Sequence, residues 1–194
     1  MKAFLFDMDD TLLEPVRPSP LLEFKRRWGL PNDHLVIEGL SLLPETQREI
    51  ARGAFHQLER EVAQKSRVRP GMRAVLRALR RAAVPTALIT NNNPEAVQIV
   101  LQRHRLEFSL VLTRADGRPK PAPDLIEQAL AYLKVRPEEA LFVGDSHADR
   151  IAAEAAGVPI VFLPTPDNAD LHPRLRTPQE LLAFLDNTRP SAIG

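Results

Sequence analysis

Three acids stand within four positions near the start of the chain: Asp7, Asp9 and Asp10, directly behind an apolar run over residues 3–6. Other polar residues hold the same relation to later apolar runs. Thr90 and Asn91 close the run over residues 84–90, Lys120 lies in the polar loop at residues 114–123, and Asp145 and Asp149 follow residues 140–144. Crowded carboxylates repel one another unless a cation or protons neutralise them. Hard divalent cations such as Mg²⁺ take oxygen ligands. The pattern therefore points to a Mg²⁺ site with a carboxylate free for chemistry; the competing reading is a solvated acidic turn that caps a helix. Phosphoryl transfer suits such a set, because it depends on positioning and on electrostatic stabilisation of the equatorial oxygens. One carboxylate can attack phosphorus and form an aspartyl-phosphate. A second, two residues on, can protonate the leaving oxygen and then activate water, typically worth about 10²- to 10⁴-fold. A hydroxyl, an amide and an ammonium would hold the phosphate.

These roles require that distant residues converge. Acids are depleted in strands, so the first strand is expected to stop at Asp7. Short apolar runs over residues 84–90, 109–113, 140–144 and 158–163 read as further strands. Between them, apolar residues recur at helical spacing: Met72, Val75, Leu76 and Leu79; Val97, Val100 and Leu101; and Leu125, Ile126, Ala129, Leu130 and Leu133. Asn93 and Pro94 suit the N-cap and first turn of one helix. Alternating strands and helices predict an α/β fold, a doubly wound, Rossmann-like parallel sheet. In such a sheet ligands bind outside the carboxyl ends of the strands, where Asp7, Asp9, Thr90, Lys120, Asp145 and Asp149 would meet.

Residues 14–66 break the alternation. Pro15, Pro18 and Pro20 mark a linker, and no strand pattern follows. Leu21 to Trp28 suggests a helix ended by Gly29, and residues 35–43 a short one. Residues 44–65 suggest a long helix with the stripe Ile50, Ala54, Leu58 and Val62. The expected division is a core of residues 1–13 and 67–194 with a small all-helical cap, residues 14–66, inserted after the first strand. Residues 178–185 suggest a last short helix, and the tail beyond Asp186 is expected to be loose.

Composition narrows the function classes. The chain has 194 residues, 44% hydrophobic and 26% charged, with a net charge of +1. That balance gives no field for nucleic acid or a membrane surface. The absence of cysteine excludes disulfides, thiol catalysis and cysteine-based metal centres. No apolar stretch reaches the roughly 18 residues of a membrane span, and only four apolar residues separate Lys2 from Asp7, so no signal peptide is expected. A cytoplasmic location fits.

The ordered set of motifs resembles the haloacid dehalogenase superfamily. Asp7-Met8-Asp9-Asp10-Thr11-Leu12 is similar to its first motif, whose leading Asp is the nucleophile and whose second Asp is the general acid/base. Thr90, ending an apolar strand, resembles the second, which binds phosphate. Lys120, within Gly117-Arg118-Pro119-Lys120-Pro121-Ala122-Pro123-Asp124, resembles the third. Gly144-Asp145-Ser146-His147-Ala148-Asp149 resembles the fourth, which supplies metal-binding acids. The resemblance spans residue 4 to about residue 163. It implies that Asp7 and Asp145 bind Mg²⁺ through side chains and Asp9 through its main-chain carbonyl, and that Asp149 orients the metal shell or ligates directly. It also implies a helical cap that closes over the site, as in the phosphoglycolate-phosphatase-like branch. Asp9 argues against dehalogenation, since a halide leaves without a proton whereas an alkoxide benefits from one. The function so implied is a Mg²⁺-dependent phosphatase acting on a small phosphorylated metabolite. A phosphomutase with the same residues and a non-catalytic binding protein on the same scaffold are the alternatives.

Several residues carry a plainer expectation. Asn91 is expected to offer the phosphate a backbone or side-chain donor, while Asn92 and Asn93 serve turn and cap. His147 reads as a loop residue near the mouth of the site, since hard metals prefer oxygen. His34, His56, His104 and His172 are scattered and read as surface or satisfied. Trp28 and Phe55 could contact substrate, but packing of cap against core is the stronger expectation. Arg17 and Arg52 could meet a second anion on a substrate.

Overall fold

The computed structural model describes residues 1–185. Five parallel strands form one sheet in the order β3-β2-β1-β4-β5: β1 Ala3–Phe6, β2 Thr86–Ile89, β3 Leu110–Leu112, β4 Ala140–Gly144 and β5 Ile160–Phe162. β1 and β4 match the apolar runs that encode them, and β2, β3 and β5 are shorter than theirs. β1 is central, with Leu5 level with Ala87 on one side and Phe142 on the other. All four of its residues are buried, as expected of a strand covered on both faces. Its side chains alternate: Phe4 and Phe6 join one apolar cluster with Val75, Leu79, Val97 and Val100, and Ala3 and Leu5 join another with Leu125, Ala129, Ala152 and Ala153. The first face is covered by α4 (Met72–Arg81) and α5 (Pro94–His104), the second by α6 (Asp124–Leu133) and α7 (His147–Ala155).

Between β1 and α4 come three helices and no strand: α1 Pro20–Trp28, α2 Val36–Ser41 and α3 Glu45–Lys65. Each end reflects local chemistry. Ser19 caps α1 with Pro20 in its first turn, and Gly29 at φ 64° closes it in the left-handed conformation. These helices share a small core of Phe24, Leu30, Val36, Leu40, Ala51 and Phe55. The two chain crossings at the base of the insert are tied together by the Leu13–Val68 bridge and by Glu14 N–H donating to the Arg67 carbonyl.

The stripe expected on α3 is displaced by one residue. Ile50 is exposed, and Ala51, Phe55, Glu59 and Ala63 are the buried positions. Ala54, Leu58 and Val62 are half-buried beside that face, so counting only apolar residues misplaces its centre, because a paired glutamate occupies the middle. Trp28 also differs from expectation. It packs within the insert, against Phe24 at 6.0 Å between ring centroids, and not against the sheet domain. Residues 178–184 form a tight 3₁₀ helix. The tail beyond Asp186 lies outside the described residues.

Candidate active site

The first strand ends where expected, and Asp7 N–H still donates to the Val143 carbonyl of β4. The chain then makes one wide turn over Met8–Leu12, closed by Leu13 N–H donating to the Met8 carbonyl. Asp10 sits at φ 55° in that turn, a left-handed conformation that Asp tolerates better than most residues. Thr11 is buried and donates through Oγ1 to Asp145 Oδ1 at 2.8 Å, which fixes the turn to the end of β4. Arg69 braces the other side, donating to the Asp10, Thr11 and Pro164 carbonyls.

Lys120 is the hub. Its ammonium is buried and donates to Asp7 Oδ1 at 2.5 Å, Asp149 Oδ1 at 2.6 Å and the Ile89 carbonyl at 3.1 Å. Burial works against its charge, but Asp149 and Asp7 outweigh it and hold the group well above the ordinary lysine value. Asp149 is held just as firmly: its Oδ2 accepts from the Asp145 and Ser146 amides at 3.1 and 3.0 Å and from Ser146 Oγ at 2.7 Å. Burial pushes the Asp149 carboxyl up, yet Lys120 and these donors keep it below its usual range. A Cβ on Gly144 would lie 2.8 Å from the Asp149 carboxylate, so β4 must end in glycine for the acid to fit.

The remaining acids are less well compensated. Burial raises Asp7 to about 7, against the pull of Lys120 and with the push of Asp149 and Asp9. Burial, then Asp7 and Asp149, raise Asp145 to about 9. Burial raises Asp9 to about 6, and a hydrogen bond from Asn92 opposes it. Asp7, Asp145 and Asp149 each bring a carboxylate oxygen within 4.8 Å of the others. This oxygen-only, negatively overloaded cluster fits a hard dication. Asp7 and Asp145 have the freer lone pairs, since both Asp149 oxygens are already engaged. The Asp9 carboxylate stands outside the cluster and is turned to Asn92.

Thr90 lies just past β2, buried, with Oγ1 accepting from the Asn92 amide at 3.2 Å. Asn91 departs from expectation in its side chain. Its Nδ2 donates to the Lys120 carbonyl at 2.7 Å and its Oδ1 accepts from Lys120 N–H at 2.9 Å. The side chain is spent on holding the Lys120 loop, and only the backbone N–H remains to meet an anion. Asn92 does more than shape a turn: it reaches Asp9, 83 residues away. Asn93 caps α5 as expected, accepting from Ala96 N–H at 2.9 Å, and its Nδ2 also donates to Glu59 at 2.7 Å.

Asp7, Asp9, Thr90, Asn91, Lys120, Asp145 and Asp149 all face one cavity of about 360 Å³. The insert supplies its opposite wall, including Leu35, Ile37, Phe55, Leu58 and Val62. There Arg114 forms a two-pronged ion pair with Glu59, donates to the Asn91 carbonyl at 3.0 Å and lies 5.4 Å from the Phe55 ring centre. Phe55 therefore does bridge insert and sheet. Neither Arg114 nor Glu59 was legible as a site residue, since nothing in the sequence distinguishes a paired arginine from a solvated one. Arg17 reaches the cavity but is bound to Asp10 and Asp167 at 2.8 and 2.7 Å. Arg52 does not line it and pairs with Glu49 on the exposed face of α3. His147 is not a loop residue: it opens α7, lies 3.1 Å from Asp170 and does not line the cavity. His104 is satisfied by Ser66.

Comparison with known proteins agrees with this geometry. The haloacid dehalogenase-like hydrolase family model matches residues 1–157. Phosphoglycolate phosphatase of Pseudomonas putida is 32% identical over 187 residues, covering 84% of this chain and 69% of that protein. Phosphoserine phosphatase of Thermus thermophilus is 33% identical over 174 residues, covering 81% and 66%. A HAD-superfamily hydrolase, subfamily IA, variant 1, from Geobacter sulfurreducens superposes with a TM-score of 0.67 at 28% identity, covering 95% of this chain and 99% of that one. With a family match over most of its length, and with the four motif regions gathered at one sheet edge, the chain belongs to the haloacid dehalogenase-like hydrolase family.

Proposed function

We propose that the protein is a Mg²⁺-dependent phosphatase that hydrolyses a small phosphorylated metabolite through an aspartyl-phosphate. One observation carries the reading: the Asp7 carboxylate faces the cavity with one oxygen held by Lys120, while its Oδ2 has no hydrogen bond among the described residues. That oxygen is the nucleophile. It attacks phosphorus in line with the leaving alcohol; the new Asp7 O–P bond forms as the ester P–O bond breaks. Asp9, whose raised pKa leaves part of its population protonated near pH 6, gives its proton to the leaving oxygen. Water then attacks the phosphorus of the acyl phosphate, Asp9 takes its proton, and inorganic phosphate departs with Asp7 restored. Lys120, the Thr90 hydroxyl and the Asn91 backbone N–H hold the equatorial oxygens as charge develops.

Asp7 and Asp145 would hold the Mg²⁺, with Asp149 orienting that shell through Ser146 and Lys120. When bound, the cation supplies neutralisation between the nucleophile and the dianionic ester. Residues 14–66 act as a cap on the core formed by residues 1–13 and 67–194, excluding water from the acyl phosphate. Phosphatase-named relatives support the reaction class. Asp7→Asn is expected to abolish turnover of p-nitrophenyl phosphate while the circular dichroism spectrum is kept, and full activity in that variant would refute the assignment. EDTA should stop the reaction and Mg²⁺ restore it. Release of free phosphate, not an isomeric ester, separates hydrolysis from mutase chemistry.

A further inference from the structure

The charges around the cavity, beyond those that would meet the phosphate, select a class of leaving group; this step rests on the phosphatase reading above. Among the described residues three cations line the cavity, against seven acids. Each cation is already matched. Lys120 sits between Asp7 and Asp149. Arg114 is committed to Glu59, which is itself only 4% exposed. Arg17 joins Asp10 to Asp167. Receiving a substrate carboxylate would mean dissolving one of these pairs. Freeing Arg114 would leave Glu59 buried without its counter-charge, with only the neutral Asn93 amide beside it, which is strongly unfavourable. Glu14, also on the wall, adds repulsion. Facing the sheet edge, the wall is aliphatic: Val16, Leu21, Leu35, Ile37, Leu58 and Val62. Such a surface rewards burial of carbon and penalises an unpaired charge of either sign.

We propose that the alcohol released from the substrate is uncharged and largely apolar, and that the site rejects phosphate esters whose alcohol carries a carboxylate. Phosphoglycolate and phosphoserine both carry one, so the proposal separates this chain from relatives with those names. The reaction is otherwise unchanged: ester and water give the alcohol and inorganic phosphate.

The test is kcat/KM of the full chain with Mg²⁺ on esters paired by chain skeleton. Ethyl phosphate is compared with phosphoglycolate, isopropyl phosphate with 2-phospholactate, and propyl phosphate with phosphoethanolamine; benzyl phosphate probes apolar bulk. The uncharged ester of each pair should be preferred by on the order of tenfold or more, and benzyl phosphate should exceed ethyl phosphate. Equal or better use of the carboxylated or aminated ester overturns the proposal. Inactivity on every ester and on p-nitrophenyl phosphate sinks instead the phosphatase reading beneath it. Asp167→Asn, an exposed change outside the catalytic set, loosens Arg17 and should raise the ratio of phosphoglycolate to ethyl phosphate use several-fold; an unchanged ratio overturns the argument from pairing.

Discussion

Two clusters of buried charge face each other across the cavity, and they are balanced differently. At the sheet edge, Asp7 and Asp149 share the single ammonium of Lys120, the Asp145 carboxylate has only the Thr11 hydroxyl among the described residues, and two of the three carboxyls are pushed upward in pKa. On the insert side, Glu59 meets Arg114 one to one, with Asn93 taking up a further lone pair. The first cluster holds negative charge that a cation and a phosphate can rearrange. The second has no surplus and fixes only where α3 sits. Electrostatic imbalance thus sets the candidate site apart from the balanced pair that fixes the framework. Buried groups with strongly shifted pKa values and named partners are where function is to be sought.

The comparison can be broken most forcefully at Asp9. Asp9→Asn keeps the hydrogen-bonding shape but removes the transferable proton. Its kcat on an alkyl phosphate should fall by about 10²- to 10⁴-fold, and by much less on p-nitrophenyl phosphate, whose leaving group needs little protonation. An equal loss on both esters would make Asp9 a structural residue like Glu59.

Next in size is the pH dependence of metal-free stability. Asp7 and Asp145 are raised in the folded protein to about 7 and about 9 from a reference of 3.8. The unfolded chain therefore releases these protons first. Their contribution to stability is complete below about pH 4 and is lost as pH rises through the folded values. In EDTA the melting temperature should fall between about pH 5 and pH 9, with His104, whose pKa is lowered, opposing the trend slightly. Mg²⁺ should flatten the curve by neutralising the acids. A flat curve in EDTA would remove the claim of surplus charge.

On the balanced side the expected effect is on folding, not on pH. Arg114→Met leaves Glu59 buried and unpaired and should cost about 3–5 kcal/mol by denaturant unfolding. The double variant Arg114→Met with Glu59→Leu should recover much of that. Failure to recover would show that the pair holds the insert by more than mutual neutralisation. Smallest is Arg17→Gln at the rim. Its side chain is 31% exposed, and loss of such a pair should change stability by less than about 1 kcal/mol.

Much of the candidate site at the sheet edge was legible because each residue there follows a strand. Apolar runs that stop at Asp7, Thr90 and Asp145 name the strand ends, and a parallel sheet brings those ends together whatever lies between them in the chain. The insert was less legible. Its helices and the Gly29 stop were readable, but the centre of the buried face of α3 was not, because Glu59 enters the core through Arg114 and Asn93, both distant in the chain. Asn91 and Asn92 show the same limit: composition identifies a polar turn, but which donor holds the Lys120 loop and which holds Asp9 depends on side chains from elsewhere.

The sequence alone determined the alternation of strands and helices, the place of the helical insert, and the acids, threonine and lysine at strand ends, since these follow from local periodicity and from where charge interrupts it. Only the tertiary structure decided how the charges pair: Lys120 between Asp7 and Asp149, Asn92 on Asp9, Arg114 on Glu59. Pairing is a property of through-space distance and of a buried, weakly screening interior, and neither is written in the order of residues along the chain.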